Sequence, residues 1–187
     1  DVPVYNNPHA LVLGLDLSAS MWAKDVDPDR LSRARFKLLD ILAKRRDGQT
    51  ALVVFAGDAF VVTPLTSDTV TIAEQIKNLS PDIMPATGSH LTPAIQQARQ
   101  LLKQANFPHG DVLLITDGVD DSAEAQQSAK AGVAQGYYIS TLAIGTEQGA
   151  PIALPDGDFL RDQQGKTIIP VVNHADISAV SQAGKGL

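Results

Sequence analysis

Two short apolar runs in this chain each end in an aspartate: Leu11-Val12-Leu13-Gly14-Leu15-Asp16 and Val112-Leu113-Leu114-Ile115-Thr116-Asp117. Apolar runs of this length, without alternation, belong to strands covered on both faces, and so to a parallel sheet wrapped by helices. The rest of the chain keeps to that plan. A helix is expected near Arg30 to Arg45, where Leu31, Ala34, Leu38 and Leu42 recur at helical spacing after an Asp27-Pro28 start signal. Ala51 to Phe55 reads as the next strand, and Gly57-Asp58 turns it into Ala59 to Val62, a hairpin that makes an antiparallel edge. Ser67 and Asp68 cap a helix running to about Leu79, and Pro93 fits the first turn of a helix over Thr92 to Gln104. A helix from about Ser122 to Ala134, a strand from Tyr138 to Ile144 and a short helix near Ala175 to Gln182 complete the alternation. The expected fold is α/β, a doubly wound and mostly parallel sheet with one antiparallel edge strand and helices on both faces.

The 187 residues suit one domain, 1–187, that buries roughly 70% of its unfolded surface. Residues 1–10 read as a lead-in. Residues 149–172, with Pro151, Pro155, Gly157, Gly165 and Pro170, read as an inserted loop or hairpin. A formal net charge of −6 argues against nucleic acid as a partner. The one basic cluster, Arg30 to Arg46, falls at helical spacing and reads as a solvated helix face. With no cysteine, disulfides, thiolate metal sites and cysteine catalysis are excluded. No apolar run approaches the ~20 residues of a membrane helix. The chain starts at Asp1 rather than Met and trails off in Gly184-Lys185-Gly186-Leu187, so it reads as a fragment of a longer protein.

The chemistry lies at the two strand ends. Ligands of open parallel sheets bind beyond the carboxyl ends of the strands. If the two strands are neighbours, Asp16 and Asp117 meet at that edge, and one must protonate unless a cation intervenes. Ser18 and Ser20 follow Asp16 at alternate positions, and Ser89 lies in a Gly-bearing loop before a helix. All five candidates offer only oxygen, which suits magnesium, with manganese or calcium as alternatives. Zinc would want nitrogen or sulfur, and only His90 is near in sequence. Three hydroxyls are weak ligands, so the ion stays electron-poor and seeks an anionic oxygen from outside. Taken singly each residue has a plainer reading, since a strand-end Asp is often a turn or cap residue. The combination is what points to a metal.

These residues resemble the von Willebrand factor A domain. Asp16-Leu17-Ser18-Ala19-Ser20 fits the D-x-S-x-S signature of its metal-ion-dependent adhesion site. Gly88-Ser89-His90-Leu91-Thr92-Pro93-Ala94-Ile95 is similar to the second segment, with Ser89 where the family usually has Thr, and Ile115-Thr116-Asp117-Gly118 matches the third. The resemblance covers the chain from about Leu11 and implies a Rossmann-like fold. It implies direct metal binding by Ser18 and Ser20, and by Ser89 in a high-affinity state, with Asp16 and Asp117 acting directly or through water. It further implies that an Asp or Glu of a protein ligand completes the shell. Ala19 stands where many members have Gly, and Ser89 lacks the methyl that restricts a Thr rotamer, which loosens the site.

Val54-Phe55-Ala56-Gly57-Asp58-Ala59-Phe60, Pro64-Leu65-Thr66-Ser67-Asp68 and Gly145-Thr146-Glu147-Gln148-Gly149-Ala150-Pro151-Ile152 resemble the bacterial aerotolerance-type (Bat) membrane proteins. That resemblance implies a parent anchored in the bacterial inner membrane, with this domain facing the periplasm or, as the alternative, the cytoplasm. It also implies tetratricopeptide repeats in some members, and partners among related Bat proteins or a MoxR-type ATPase system in an envelope or stress assembly.

His90 reads as an exposed loop histidine, and Met21 and Trp22 as a contact rim or as packing. Asp120 and Asp121 read as helix capping near Ser122, and Asp156 and Asp158 as solvated loop. The main functional expectation is a metal-dependent protein-binding module with no catalytic residues. The alternatives are a magnesium-dependent phosphohydrolase with Asp16 as nucleophile, and a scaffold whose site is empty. The first alternative lacks the usual second Asp two residues on, where Ser18 stands, and no phosphate-cradling Gly-rich loop followed by Lys is present.

Overall fold

The computed structural model describes residues 9–187. The lead-in assigned to 1–10 therefore lies outside the described residues, apart from His9 and Ala10. The strands are β1 (Ala10–Asp16), β2 (Gln49–Phe55), β3 (Ala59–Thr66), β4 (Gly110–Thr116) and β5 (Tyr137–Ala143). The helices are α1 (Arg30–Lys44), α2 (Thr69–Ile76), α3 (Leu91–Gln104), α4 (Ser122–Ala134) and α5 (His174–Ala183). The sheet order is β3-β2-β1-β4-β5. β1 runs parallel to both β2 and β4, and β5 runs parallel to β4. β3 folds back antiparallel at the edge, with Phe55 opposite Ala59 across the Gly57-Asp58 turn. This is the doubly wound, mostly parallel sheet expected from the alternation of strands and helices.

Each face of the sheet is sealed by apolar packing. Val12, Val53, Phe55, Leu114 and Ile139 pack with Ile95, Ala98 and Leu102 of α3, Ala125 and Ala129 of α4, and Val180 of α5. On the other face Leu13, Leu15, Leu52 and Val54 pack with Leu31, Leu38 and Leu42 of α1 and Ile72 and Ile76 of α2. Alternate residues of one strand thus serve opposite cores, which is why β1 reads as continuously apolar.

The differences from expectation are local. The cap of α1 is Asp29, whose side chain accepts from Ser32 N at 2.7 Å, rather than the Asp27-Pro28 pair. α2 ends at Ile76, short of Leu79, and β3 continues past Val62 to Thr66. Two single-turn 3-10 segments, Ala19–Trp22 and Pro81–Ile83, carry no periodic signal and are not visible in the sequence. Segment 149–172 contains two small antiparallel bridges, Ala153 with Phe159 and Arg161 with Thr167. Among the described residues no helix is long and apolar enough to cross a membrane.

Candidate metal centre

β1 and β4 are hydrogen-bonded neighbours, and the strand order reverses between them. The connection leaving β1 goes to one side of the sheet and that leaving β4 to the other, which opens a crevice at their carboxyl ends. Asp16 closes β1 at that crevice with its side chain fully buried. Its Oδ1 accepts from Ser18 N at 2.8 Å, a local turn that bends the chain over the edge, while Leu17 N donates to Phe55 O at 2.7 Å. The 3-10 turn that follows buries Met21 and brings the Ser20 hydroxyl within 2.9 Å of the Ser18 hydroxyl.

Ser89 arrives from the other side. His90 N donates to Ala56 O at 2.9 Å, and Ser89 N donates to Asp120 Oδ2 at 2.8 Å. Gly88 precedes it at φ 114°, a conformation that favours glycine. Ser89 Oγ then donates to Ser18 Oγ at 3.2 Å. Three hydroxyls from two separate segments therefore converge beside Asp16. Ser18 and Ser89 are buried, and Ser20 is half-buried at the mouth.

Asp117 stands at the end of β4 and is also buried. Its Oδ2 accepts from Arg30 Nη1 at 2.9 Å rather than from the serines. Burial, and then the charge of Asp117, push the Asp16 carboxyl up to about 8, against hydrogen bonds from Thr116 and Ser18 that favour its ionised form. The repulsion expected from two aspartates at one edge is thus present, and Arg30 answers it only on the Asp117 side.

The donor set is chemically uniform. Among the described residues no three His, Cys, Asp or Glu side chains gather as a metal cluster. A cation at this edge must therefore lean on hydroxyls as well as the two carboxylates. Hard, oxygen-only donors of this kind fit magnesium or manganese and offer zinc neither sulfur nor a bonded imidazole. His90 is half-buried rather than exposed, and its side chain does not cap α3.

Several residues at this edge carry more than the sequence reading assigns to them. Arg30 belongs to the cluster read as a solvated helix face, yet it is fully buried and bonded to Asp25 and Asp117. The outlying members Arg33, Lys37, Lys44 and Arg46 are exposed as expected. Asp121 does cap a helix, but it is α3: its carboxylate accepts from Leu91 N and Thr92 N, both at 2.8 Å, and makes no cap bond to its own α4. Thr116 Oγ1 donates to Asp16 Oδ2 at 2.7 Å. Trp22 is half-buried and Met21 is fully buried, so Met21 is packing. Asp156 and Asp158 are exposed and bond backbone within their own loop.

Residues 11–119 match the model of the von Willebrand factor type A domain. The chain is similar to an UPF0353 protein of Nocardia farcinica, 28% identical over 92% of this chain and 55% of that protein. It spans about half the length of the curated relatives it matches. Among solved structures it is similar to the conserved hypothetical protein BatB of Bacteroides thetaiotaomicron, 31% identical with a TM-score of 0.89, over 95% of this chain and 87% of that one. It is also similar to an aerotolerance-related membrane protein of Bacteroides fragilis, 30% identical with a TM-score of 0.90, over 95% and 88% of the two chains.

Proposed function

The chain belongs to the von Willebrand factor type A domain family, and on that premise we propose that it is a protein-binding module that takes an Asp or Glu of its partner onto a divalent metal. The observation that carries this reading is the meeting of the Ser18, Ser20 and Ser89 hydroxyls, from two segments, beside two buried strand-end carboxylates. Ser18, Ser20 and Ser89 would hold the ion, magnesium first and manganese or calcium as alternatives, with Asp16 and Asp117 binding directly or through water. The ion supplies a positive centre that a partner carboxylate can complete. Asp16 fixes the Ser18 turn through its backbone N–H, and the backbone and side-chain bonds around Asp120 fix Ser89. Half-buried Ser20 leaves the mouth of the site open to a ligand.

A binding role is favoured over phosphohydrolysis because Ser18, not a second carboxylate, sits two residues after Asp16, and its hydroxyl is engaged with Ser20 and Ser89. The likeness to BatB and to an aerotolerance-related membrane protein supports a membrane-anchored parent; on this reading the membrane is a bacterial inner membrane and the domain faces the periplasm, with the cytoplasm as the alternative. Its partners on this reading are related Bat proteins or a MoxR-type ATPase system.

Titration calorimetry with magnesium and manganese tests the site. Wild type is expected to bind, whereas Asp16→Ala and the Ser18→Ala/Ser20→Ala pair lose the binding heat with unchanged circular dichroism. Equal affinity in wild type and the folded variants would overturn the assignment.

A further inference from the structure

Arg30 is the first residue of α1, and no part of its side chain reaches solvent. Its guanidinium is held on three sides. Nε and Nη2 donate to the two carboxylate oxygens of Asp25 at 2.7 and 2.6 Å, a bidentate pair. Nη2 also donates to Pro170 O at 2.8 Å, and Nη1 reaches Asp117 Oδ2 at 2.9 Å. Asp25 is anchored in turn, because Thr146 N and Thr146 Oγ1 donate to its Oδ2 at 2.8 and 2.9 Å. Thr146 O accepts from Val172 N at 3.0 Å. Gly145 makes room for this junction. It stands at φ 112°, and a Cβ there would lie 2.6 Å from Arg30 Nε and from Val172 Cγ2.

At the guanidinium four pieces of chain thus meet: the loop after the Ser20 turn, the end of β4, the loop after β5, and the end of segment 149–172. A planar fork with two of its arms on Asp25 can present the remaining arm to Asp117 in only one direction. From this geometry we infer that Arg30 is a positioning residue for the metal edge: locked by Asp25, Thr146 and Pro170, it ties up one oxygen of Asp117 and so fixes where the other points. The inference rests on the metal-binding reading above. It adds that the last residues of segment 149–172, though remote in sequence from every candidate ligand, are part of the frame that sets the site's affinity.

The charge count agrees with a fixed frame. Arg30 is the buried base between the side chains of Asp25 and Asp117, so the frame holds one positive charge against two carboxylates. An Arg30→Lys change keeps that count and destroys the fork, so it separates geometry from charge.

The test is manganese binding by titration calorimetry on wild type, Arg30→Lys and Asp25→Asn, with thermal unfolding of each in chelator as the control for fold. Partners that orient a metal ligand are worth about ten- to a hundredfold in affinity, so folded Arg30→Lys is expected to bind at least about tenfold more weakly, and Asp25→Asn at least about threefold. A purely structural ion pair would lower the melting temperature in chelator and leave the affinity of the folded protein alone. Affinity within twofold of wild type in folded Arg30→Lys therefore overturns the inference. Should Arg30→Lys not fold, Asp25→Asn decides by the same measure, a loss of threefold or more supporting it and a smaller one overturning it. If wild type binds no manganese, the metal-binding reading itself fails, which is a different result from a wild type that binds and variants that bind equally.

Discussion

Asp16 is the residue on which the site's chemistry and the fold's stability oppose each other. Its carboxyl is pushed up to about 8 by burial and by Asp117, against 3.8 for an unperturbed Asp. Thr116 Oγ1 lies 2.7 Å from both Asp16 Oδ2 and Gly118 O, and its single proton serves only one of them at a time. When Asp16 is protonated it donates to Thr116, which then donates to Gly118, and all three oxygens are satisfied. The folded state thus holds a proton that the unfolded state has released. Without metal, stability is fully present below the unfolded value and is lost as pH rises through the folded one, by up to about 1.4 kcal/mol per pH unit. Asp25 has the opposite sign: burial alone would raise it, but hydrogen bonds from Arg30 and Thr146 bring it down to about 2, so its contribution is lost only in acid. Urea unfolding in chelator is therefore expected to show falling stability between about pH 5 and pH 8, and Asp16→Asn, which mimics the protonated acid, is expected to flatten the slope. Parallel slopes in the two proteins would refute this. Asp16 and Asp117 were legible because each closes an apolar run, and a strand end is a place the sequence marks. Arg30 was not, because its partners lie five, 87 and 140 residues away. One local sign was available: a cation at the first position of a helix faces the positive end of the helix dipole, an unfavourable place unless acids are brought to it.

Elements were readable wherever period and punctuation agreed. α4 runs from Ser122 to Ala134 as its pattern indicates, and α1 and α3 match to within a residue at each end. The sequence failed where an end is set by a group from elsewhere. α3 begins at Leu91 after His90, a residue that makes no side-chain cap, and its free N–H groups are taken by Asp121 from the start of α4. No reading of residues 88–94 alone could supply that cap. The acids at the start of α4 also order the Ser89 loop, Asp120 through Ser89 N and Asp121 through the two residues that follow His90. Loss of a capping carboxylate costs about 1–2 kcal/mol, and an amide at this position keeps only one of the two acceptor oxygens and turns its NH2 group toward the other backbone N–H. Asp121→Ala is therefore expected to reduce the unfolding free energy by that amount with an unchanged m-value, and to speed amide exchange at Leu91 and Thr92, while Asp121→Asn, which keeps one of the two acceptors, loses part of the same stability. A loss below about 0.3 kcal/mol in Asp121→Ala would mean that α3 holds its own end.

At the scale of the whole molecule, the crevice concentrates what the rest of the fold avoids. The chain carries a formal charge of −6, and the side chains of Asp16, Asp25 and Asp117 are buried toward one edge of the sheet, where Arg30 pairs with the last two. A cation that binds the native state and not the unfolded chain stabilises the fold, because the hydroxyls converge only on folding. For one site at a free concentration a hundredfold above its dissociation constant, the gain is about 2.7 kcal/mol. A chain of this size shifts by about 2–4 °C for each kcal/mol, so saturating magnesium or manganese is expected to raise the melting temperature by about 5–10 °C. Scanning calorimetry in chelator, in magnesium, and in sodium chloride of matched ionic strength separates specific binding from screening, since screening acts equally on Asp16→Ala and specific binding does not. A rise confined to wild type in the divalent ion is the result a metal-dependent binding module requires. The same small rise in salt and in magnesium, or an equal rise in Asp16→Ala, would instead identify the crevice as a charged but empty feature of the scaffold.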